Sequence, residues 1–284
     1  MEIRGRVIDT IPSLRIIKVE TRDRMYYVYL SRKMFRDFGP YFYETPYASM
    51  EVDKKEIHGQ YSCYHLKSFT KIIKHIRRER KVFFDIVEIQ DSIKDIINRK
   101  ENMLFLDLEY SLPSSRGYRE KFIEIIQYGL VLYDKEGKKI LEDQSLVKPN
   151  KKSSLNKQTL NFVNREFKEF KDGVDYIVFY QTFEQLLEKY NPRIVVWGNN
   201  DVPTLEKSFR INHLRPLNIR KRSLNLMQLI KNYYGMKNDL GLFETYELAT
   251  KTKLEPQTHD AFEDAVILKG VYDLFKKDIN KKRI

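Results

Sequence analysis

The stretch MLFLDLEYSLP, residues 103–113, runs four apolar residues into two carboxylates, Asp107 and Glu109. The apolar run predicts a buried strand, and in a strand residues two apart point to the same face. Asp107 and Glu109 therefore stand side by side. Like charges at that spacing repel, and at the edge of a core each also loses hydration. Either a cation sits between them or the strand end is plain surface, and the rest of the chain must decide.

From Met103 onward, strands alternate with helices. MLFLDLEY, FIEIIQYGLVLYD and KKILEDQSLVKP read as three strands of a meander; TFEQLLEKYN reads as a helix, RIVVWG as a buried strand and VPTLEKSFRIN as a helix. Helices at LNLMQLIKNYYG, GLFETYELATKT and HDAFEDAVILKGVYDLFKK follow. Mixed strands covered by helices predict an α/β layer domain over 103–284.

Three further groups fall at element ends. Asp201 follows RIVVWGNN where a strand gives way to a helix, and Asp264 lies on the last helix, five residues after His259. Strand ends of a mixed sheet converge on one edge, so Asp107, Glu109, Asp201 and Asp264 can meet. Four gathered carboxylates raise one another's pKa unless divalent cations neutralise them. An all-oxygen set suits Mg²⁺ or Mn²⁺, and two such ions would clamp the attacking and leaving oxygens of an in-line phosphoryl displacement. His259, with an ordinary pKa near 6.5, can take a proton from water at neutral pH. Taken singly, each residue has a plainer reading: Asp201 as a helix cap before Pro203, His259 as a helix-start residue, and the Asp-Leu-Glu spacing as chance. Their order and placement carry the argument.

The order FLDLEY, WGNND, HDAFEDA resembles the DEDDh 3′-5′ exonucleases, the superfamily of RNase T and the replicative proofreading subunit, over roughly residues 103–275. IEIIQYGLVLYD is similar to the second strand of that fold, and GLFETYELA is similar to the KapD-type and histone-mRNA exonuclease branch. The resemblance implies an RNase H-like domain with a mixed central sheet that releases nucleoside 5′-monophosphates from a free 3′ end, with RNA favoured over DNA. It implies that Asp107 bridges two metal ions, that Glu109 and Asp264 complete one shell, that Asp201 holds the second ion and that His259 is the general base. Leu108 and the residues after Glu109 would lie against the terminal nucleotide. Many members carry Thr or Ala after the motif glutamate, whereas this chain has Tyr110, a ring that would either narrow the pocket or stack on the last base.

The first 70 residues have a different grammar. EIRGRVID, LRIIKVET and MYYVYLS read as strands, RKMFRDFG as a short helix ending at Gly39, and YASMEVD and GQYSCYHLKSF as two more strands. Five strands with a helix between the third and fourth match the outline of an OB-like barrel, a common single-strand binder. Arg24, Tyr26, Tyr27, Tyr29 and Lys67 are the residue types such a face uses, although alternate tyrosines can equally pack the barrel. Next, FTKIIKHIRRERKVFF reads as a basic helix opening a linker over 71–102, with Ile72, Ile73 and Ile76 inward and Lys71, Lys74, Arg77, Arg78, Arg80 and Lys81 outward. The cations form either a phosphate-contacting stripe or a solvated face.

Overall charge agrees with a polyanionic partner. The chain has 52 Lys and Arg against 40 Asp and Glu, a formal net charge of +12, and residues 1–100 hold 21 basic against 14 acidic residues, more than half of that excess. One cysteine, Cys63, excludes a disulfide framework and any zinc cluster of cysteine pairs. The start carries Glu2, Arg4, Arg6 and Asp9 where a signal peptide needs an apolar core, and no run approaches a membrane span, so a cytoplasmic protein is expected. Single-stranded RNA or DNA is the expected partner. Two other readings compete: a catalytically silent strand-binding protein on an exonuclease scaffold, whose signature would be lost acids, and a phosphodiesterase acting on dinucleotides.

Overall fold

The computed structural model describes residues 1–76, 79–113, 123–236, 238–254 and 259–281. It divides into two compact units, Met1–Ile93 and Lys94–Ile284.

In the first unit, β1 (Glu2–Ile11), β2 (Ile16–Glu20), β3 (Met25–Tyr29), β4 (Tyr47–His58), β5 (Tyr61–Ile76) and β6 (Glu79–Asp85) form one sheet in the order β3-β2-β1-β4-β5-β6. Strand alternation is plain in β1, where Ile3, Gly5 and Val7 are buried and Glu2, Arg4 and Arg6 exposed. A parallel pairing of β3 with β5, Val28 on Tyr64 and Tyr29 on His65, closes five strands into a barrel. Its interior is filled by Val7, Ile17, Val19, Val28, Met50 and Ile72, among others.

Helix α1 (Arg32–Phe42) lies between β3 and β4, and the Ser31 hydroxyl accepts from the Met34 N–H at 3.3 Å to cap its start. It does not stop at Gly39. It runs through Pro40, which cannot donate to the carbonyl one turn back. Continuing buries Phe42, 3% exposed, against Phe69 with ring centres 5.8 Å apart. That apolar burial outweighs the missing bond.

Residues 71–76 and 79–85 are not a helix. They belong to β5 and β6, antiparallel from Lys71 on Asp85 to Ile76 on Glu79; Arg77 and Arg78 lie outside the described residues. The helical reading rested on Ile72, Ile73 and Ile76 facing inward, but only Ile72 is buried, Ile73 is half-buried and Ile76 is exposed. Bulges in the β4–β5 register place the buried residues of β5 at Cys63, Leu66, Phe69 and Ile72. The cations are also partly engaged: Lys71 and Arg80 pair with Asp85, and Lys74 and Lys81 pair with Glu44. The segment that follows is α2 (Ile86–Ile97), and the division between units falls within it, after Ile93.

The second unit holds β7 (Met103–Tyr110), β8 (Ile125–Tyr133), β9 (Lys139–Lys148), α3 (Lys157–Phe162), β10 (Val174–Asp175), α4 (Tyr176–Tyr190), β11 (Arg193–Val196), α5 (Asp201–Ile211), β12 (Ser223–Asn225), α6 (Leu226–Tyr234), α7 (Leu242–Thr250) and α8 (Ala261–Ile279). The sheet order is β10-β9-β8-β7-β11-β12. The meander is antiparallel, and β11 adds to β7 in parallel, with Val195 on Phe105. The short elements α3 and β10 were not anticipated. On one face of β7, Leu104, Leu106 and Leu108 pack with Phe179 and Phe183 of α4 and Phe209 of α5. On the other, Phe105 meets Tyr272 of α8 edge to face at 5.4 Å. Asp107 and Glu109 share the face of Phe105, by strand alternation.

One close approach fixes α8 on that face. A Cβ at Gly129, which pairs with Asp107, would stand 2.3 Å from the Ala261 carbonyl oxygen and 2.3 Å from the Phe262 backbone. No side chain fits between strand and helix there. We expect Gly129→Ala to push the start of α8 off the sheet and cost about 3 kcal/mol, read by denaturant unfolding.

Candidate active site

Alternation puts Asp107 and Glu109 side by side on β7, opposite Gly129 and Gln127 of β8. Asp201 is the first residue of α5, three residues past Gly198, whose φ of 90° lets the chain turn from β11 into the helix. Asp264 lies in the first turn of α8, and His259 immediately precedes the Asp260 cap of that helix. Two helix N-termini therefore each carry one acid to the strand end, where their dipoles favour negative charge.

The structure brings all five sequence-derived groups into one site. Ligand atoms of Glu109, His259 and Asp264 lie within 4.8 Å of one another, and His259 Nδ1 is 3.9 Å from Glu109 Oε1. Asp107 is half-buried, while Glu109, Asp201 and Asp264 are buried, at 6%, 6% and 4% exposure. Burial, then the charges of Asp201, Asp264 and Glu109, pushes the Asp107 carboxyl well above the usual range. Burial and the neighbouring aspartates push Glu109 up to about 8. Asp201 is pushed up to about 7, again chiefly by burial, against a bond from its own backbone. Among the described residues, no lysine or arginine is ion-paired with Asp107, Glu109 or Asp201. A set of crowded, buried oxygen donors without a counter-charge is the chemistry that hard divalent cations fit.

His259 is less free than its loop position indicated. Its ring stacks on Phe162 of α3 with centres 4.0 Å apart and planes 24° apart, and its backbone is left-handed, φ 52°. Burial lowers its pKa, which keeps the imidazole neutral and able to accept a proton at neutral pH. Leu108 and Tyr110 point the other way. Leu108 is 3% exposed within the core, so its side chain is not presented to a ligand. Tyr110 packs against the same core beside a β-bulge and bonds Asn200; burial and the Asp201 charge push its hydroxyl up to about 12.

Sequence reading missed the supports. Asp260 Oδ1 accepts from the N–H groups of Phe262 and Glu263, both at 3.1 Å, capping α8. Its Oδ2 accepts from Arg165 at 2.6 Å and Gln127 at 2.8 Å. Burial opposes its ionisation, but these bonds hold the carboxyl below its ordinary value. The spacing of Asp260 and Glu263 is a readable capping pattern, whereas nothing near Phe162 or Arg165 in sequence betrays their partners. Glu124 is buried and accepts from the Asn150 and Lys151 backbones and the Ser154 hydroxyl, a structural anchor at the start of β8.

An acidic pair ending a strand, one acid at each of two helix starts and a histidine beside them are the arrangement that the DEDDh resemblance implied. In sequence, the chain is 25% identical over 184 residues to the probable 3′-5′ exonuclease KapD of Bacillus subtilis, covering 62% of this chain and 85% of that protein. In fold, it matches a 3′-exonuclease solved with the histone mRNA stem-loop (TM-score 0.54, 13% identity, 64% of this chain and 65% of that one). It also matches the nuclease domain of 3′hExo, a DEDDh family member bound to rAMP (TM-score 0.52, 14% identity, 64% and 94%). A third match, at TM-score 0.51 and 18% identity over 64% of each chain, is cell-death related nuclease 4. No protein-family model matches the chain. In sequence the chain is thus similar to a probable 3′-5′ exonuclease, and in fold to exonucleases that include a DEDDh family member.

Two outcomes follow from this site. The raised carboxyl values mean that the folded protein retains protons that the unfolded chain has released, so without metal the stability contributed by these groups is full below about pH 4 and is lost as pH rises from there to about 8. Thermal unfolding in EDTA, compared with Mg²⁺ or Mn²⁺, should show a cation-dependent gain in Tm that is larger at about pH 8 than at about pH 5. Asp260→Ala should cost about 1–2 kcal/mol by removing the cap, with Asp260→Asn milder because it keeps an acceptor for the backbone.

Proposed function

We propose that the protein is a two-metal-dependent 3′-5′ exonuclease that releases nucleoside 5′-monophosphates from single-stranded nucleic acid, RNA in preference to DNA. The observation that carries this is the convergence of Asp107, Glu109, Asp201, Asp264 and His259 at the edge of a mixed α/β layer. Asp107, Glu109 and Asp264 would hold one Mg²⁺ or Mn²⁺, and Asp107 with Asp201 the second. Bound there, the ions supply Lewis-acid stabilisation of the phosphoryl oxygens and a more acidic water. His259, kept neutral by burial and steadied by Phe162, takes the proton of the attacking water. Asp260, held by Arg165 and Gln127, fixes the helix start that aims both His259 and Asp264. Contact with the terminal nucleotide through Leu108 would rest on its main chain, and Tyr110 would shape the site by packing. The preference for RNA rests on the likeness to the exonuclease solved with the histone mRNA stem-loop.

The first unit supports strand binding. Its closed ring, β1-β2-β3-β5-β4, with α1 between the third and fourth strands, is OB-like. Arg24, Tyr26, Tyr27, Lys55, Tyr61 and Tyr64 line an open cavity of about 570 Å³. Tyr27 and Tyr61 lie 4.9 Å apart, Arg24 covers Tyr26 at 4.6 Å and Lys55 covers Tyr64 at 5.5 Å. Rings and cations so interleaved suit successive bases and phosphates with little sequence preference. Tyr29 and Lys67 are outside this surface: Tyr29 stacks on His58, and Lys67 pairs with Asp53.

The direct test is digestion of 5′-labelled single-stranded RNA and DNA with Mg²⁺, Mn²⁺ or EDTA, beside Asp107→Ala. A metal-dependent ladder shortening from the 3′ end, absent from the variant, is expected; binding without cleavage would leave a silent strand binder. His259→Ala should lower kcat about 10²- to 10⁴-fold. A Tyr27→Ala, Tyr61→Ala variant should instead raise KM on long strands, by about 1–3 kcal/mol for each stacked base lost, with kcat little changed.

A further inference from the structure

A second constellation of metal-ligating side chains lies in the barrel, independent of the carboxylate site. Glu56 and His58 lie two apart on β4 and His65 on β5, and their ligand atoms fall within 4.8 Å of one another. His58 Nε2 is 2.8 Å from His65 Nε2, and His65 Nε2 is 2.9 Å from Glu56 Oε2.

A ring nitrogen has one in-plane valence, filled by either a proton or a lone pair. His65 Nε2 nevertheless faces two partners at hydrogen-bond distance. If it carries a proton, that single hydrogen must be shared between a carboxylate oxygen and the other imidazole. If it accepts from His58, its lone pair points at the Glu56 carboxylate. A cation removes the conflict, because all three lone pairs then point at one centre.

The rings are held for this. Tyr29 stacks face to face on His58, with centres 3.8 Å apart and planes 5° apart, and lies 5.0 Å from His65. Arg15 donates to the Tyr29 hydroxyl at 2.8 Å, which fixes the platform. Lys54 pairs with Glu56 Oε1 and leaves Oε2 facing His65. All three ligating residues are partly exposed, so an ion has access.

We propose that Glu56, His58 and His65 form a zinc site. Two imidazoles and one carboxylate are a borderline donor set that suits Zn²⁺ rather than Mg²⁺, and three protein donors leave the fourth tetrahedral position to water. His65 pairs directly with Tyr29 of β3, and His58 lies next to the β4–β5 turn at Gly59 and Gln60. The ion would pin that turn to the seam that closes the barrel, beside the tyrosine-lined cavity.

The test is a titration of full-length, chelator-stripped protein with Zn²⁺ against a chromophoric chelator, together with His58→Ala, His65→Ala, Glu56→Gln and Asp107→Ala variants. One equivalent of Zn²⁺ is expected to bind parent and Asp107→Ala alike, and to be lost from both histidine variants and weakened in Glu56→Gln. Zn²⁺ should raise the barrel's unfolding temperature only where the equivalent binds. Co²⁺ in its place should give the visible absorption of a tetrahedral nitrogen–oxygen site. Circular dichroism establishes that each variant is folded, and Glu56→Gln, nearly isosteric, serves where a histidine variant is not. Equal stoichiometry and affinity in the parent and the folded variants would overturn the proposal. So would loss of the equivalent in Asp107→Ala alone, which would assign the ion to the carboxylates. Neither result bears on nuclease activity, which the Asp107→Ala digestion decides separately.

Discussion

The second unit is organised around a repulsion. Asp107, Glu109, Asp201 and Asp264 each come from a well-made element, and where those elements meet their charges push the carboxyls of Asp107, Glu109 and Asp201 upward. A fold that gathers such groups must hold them by other means. Here the means are the leucine face of β7 packed on α4 and α5, the Phe105–Tyr272 contact on the opposite side, and the hydrogen-bonded start of α8. The apolar core supplies the cohesion, and the polar edge is strained in the charged state.

Much of this was legible in the chain. A two-residue acidic spacing at the end of an apolar run fixes a shared face, because strand alternation is local geometry. Asp201 and Asp264 were legible as acids at helix starts, again a local property. What escaped was contact between distant segments. Phe162 stacks on His259 across about a hundred residues, and Arg165 reaches Asp260 across 95, with no periodicity to announce either. The Leu108 side chain faces the core because the alternation that puts Asp107 and Glu109 on one face of the strand puts it on the other.

The error in the basic hairpin is instructive in the same way. Buried residues at spacings of three arise in a helix from its pitch, but in β5 they arise from bulges that advance the register. Of the three isoleucines in the misread segment only Ile72 faces the core, and Ile76 is 43% exposed. β-branched Ile72, Ile73 and Ile76 favoured a strand, and that preference agreed with the outcome better than the spacing did.

His259 and Asp264 reside on and beside α8, about 150 residues after Asp107 and Glu109. During synthesis β7 emerges and pairs long before α8 has left the ribosome and settled over Gly129. A nascent chain therefore carries Asp107, Glu109 and Asp201 before His259 and Asp264 exist. Translation order delays assembly of the constellation until α8 docks.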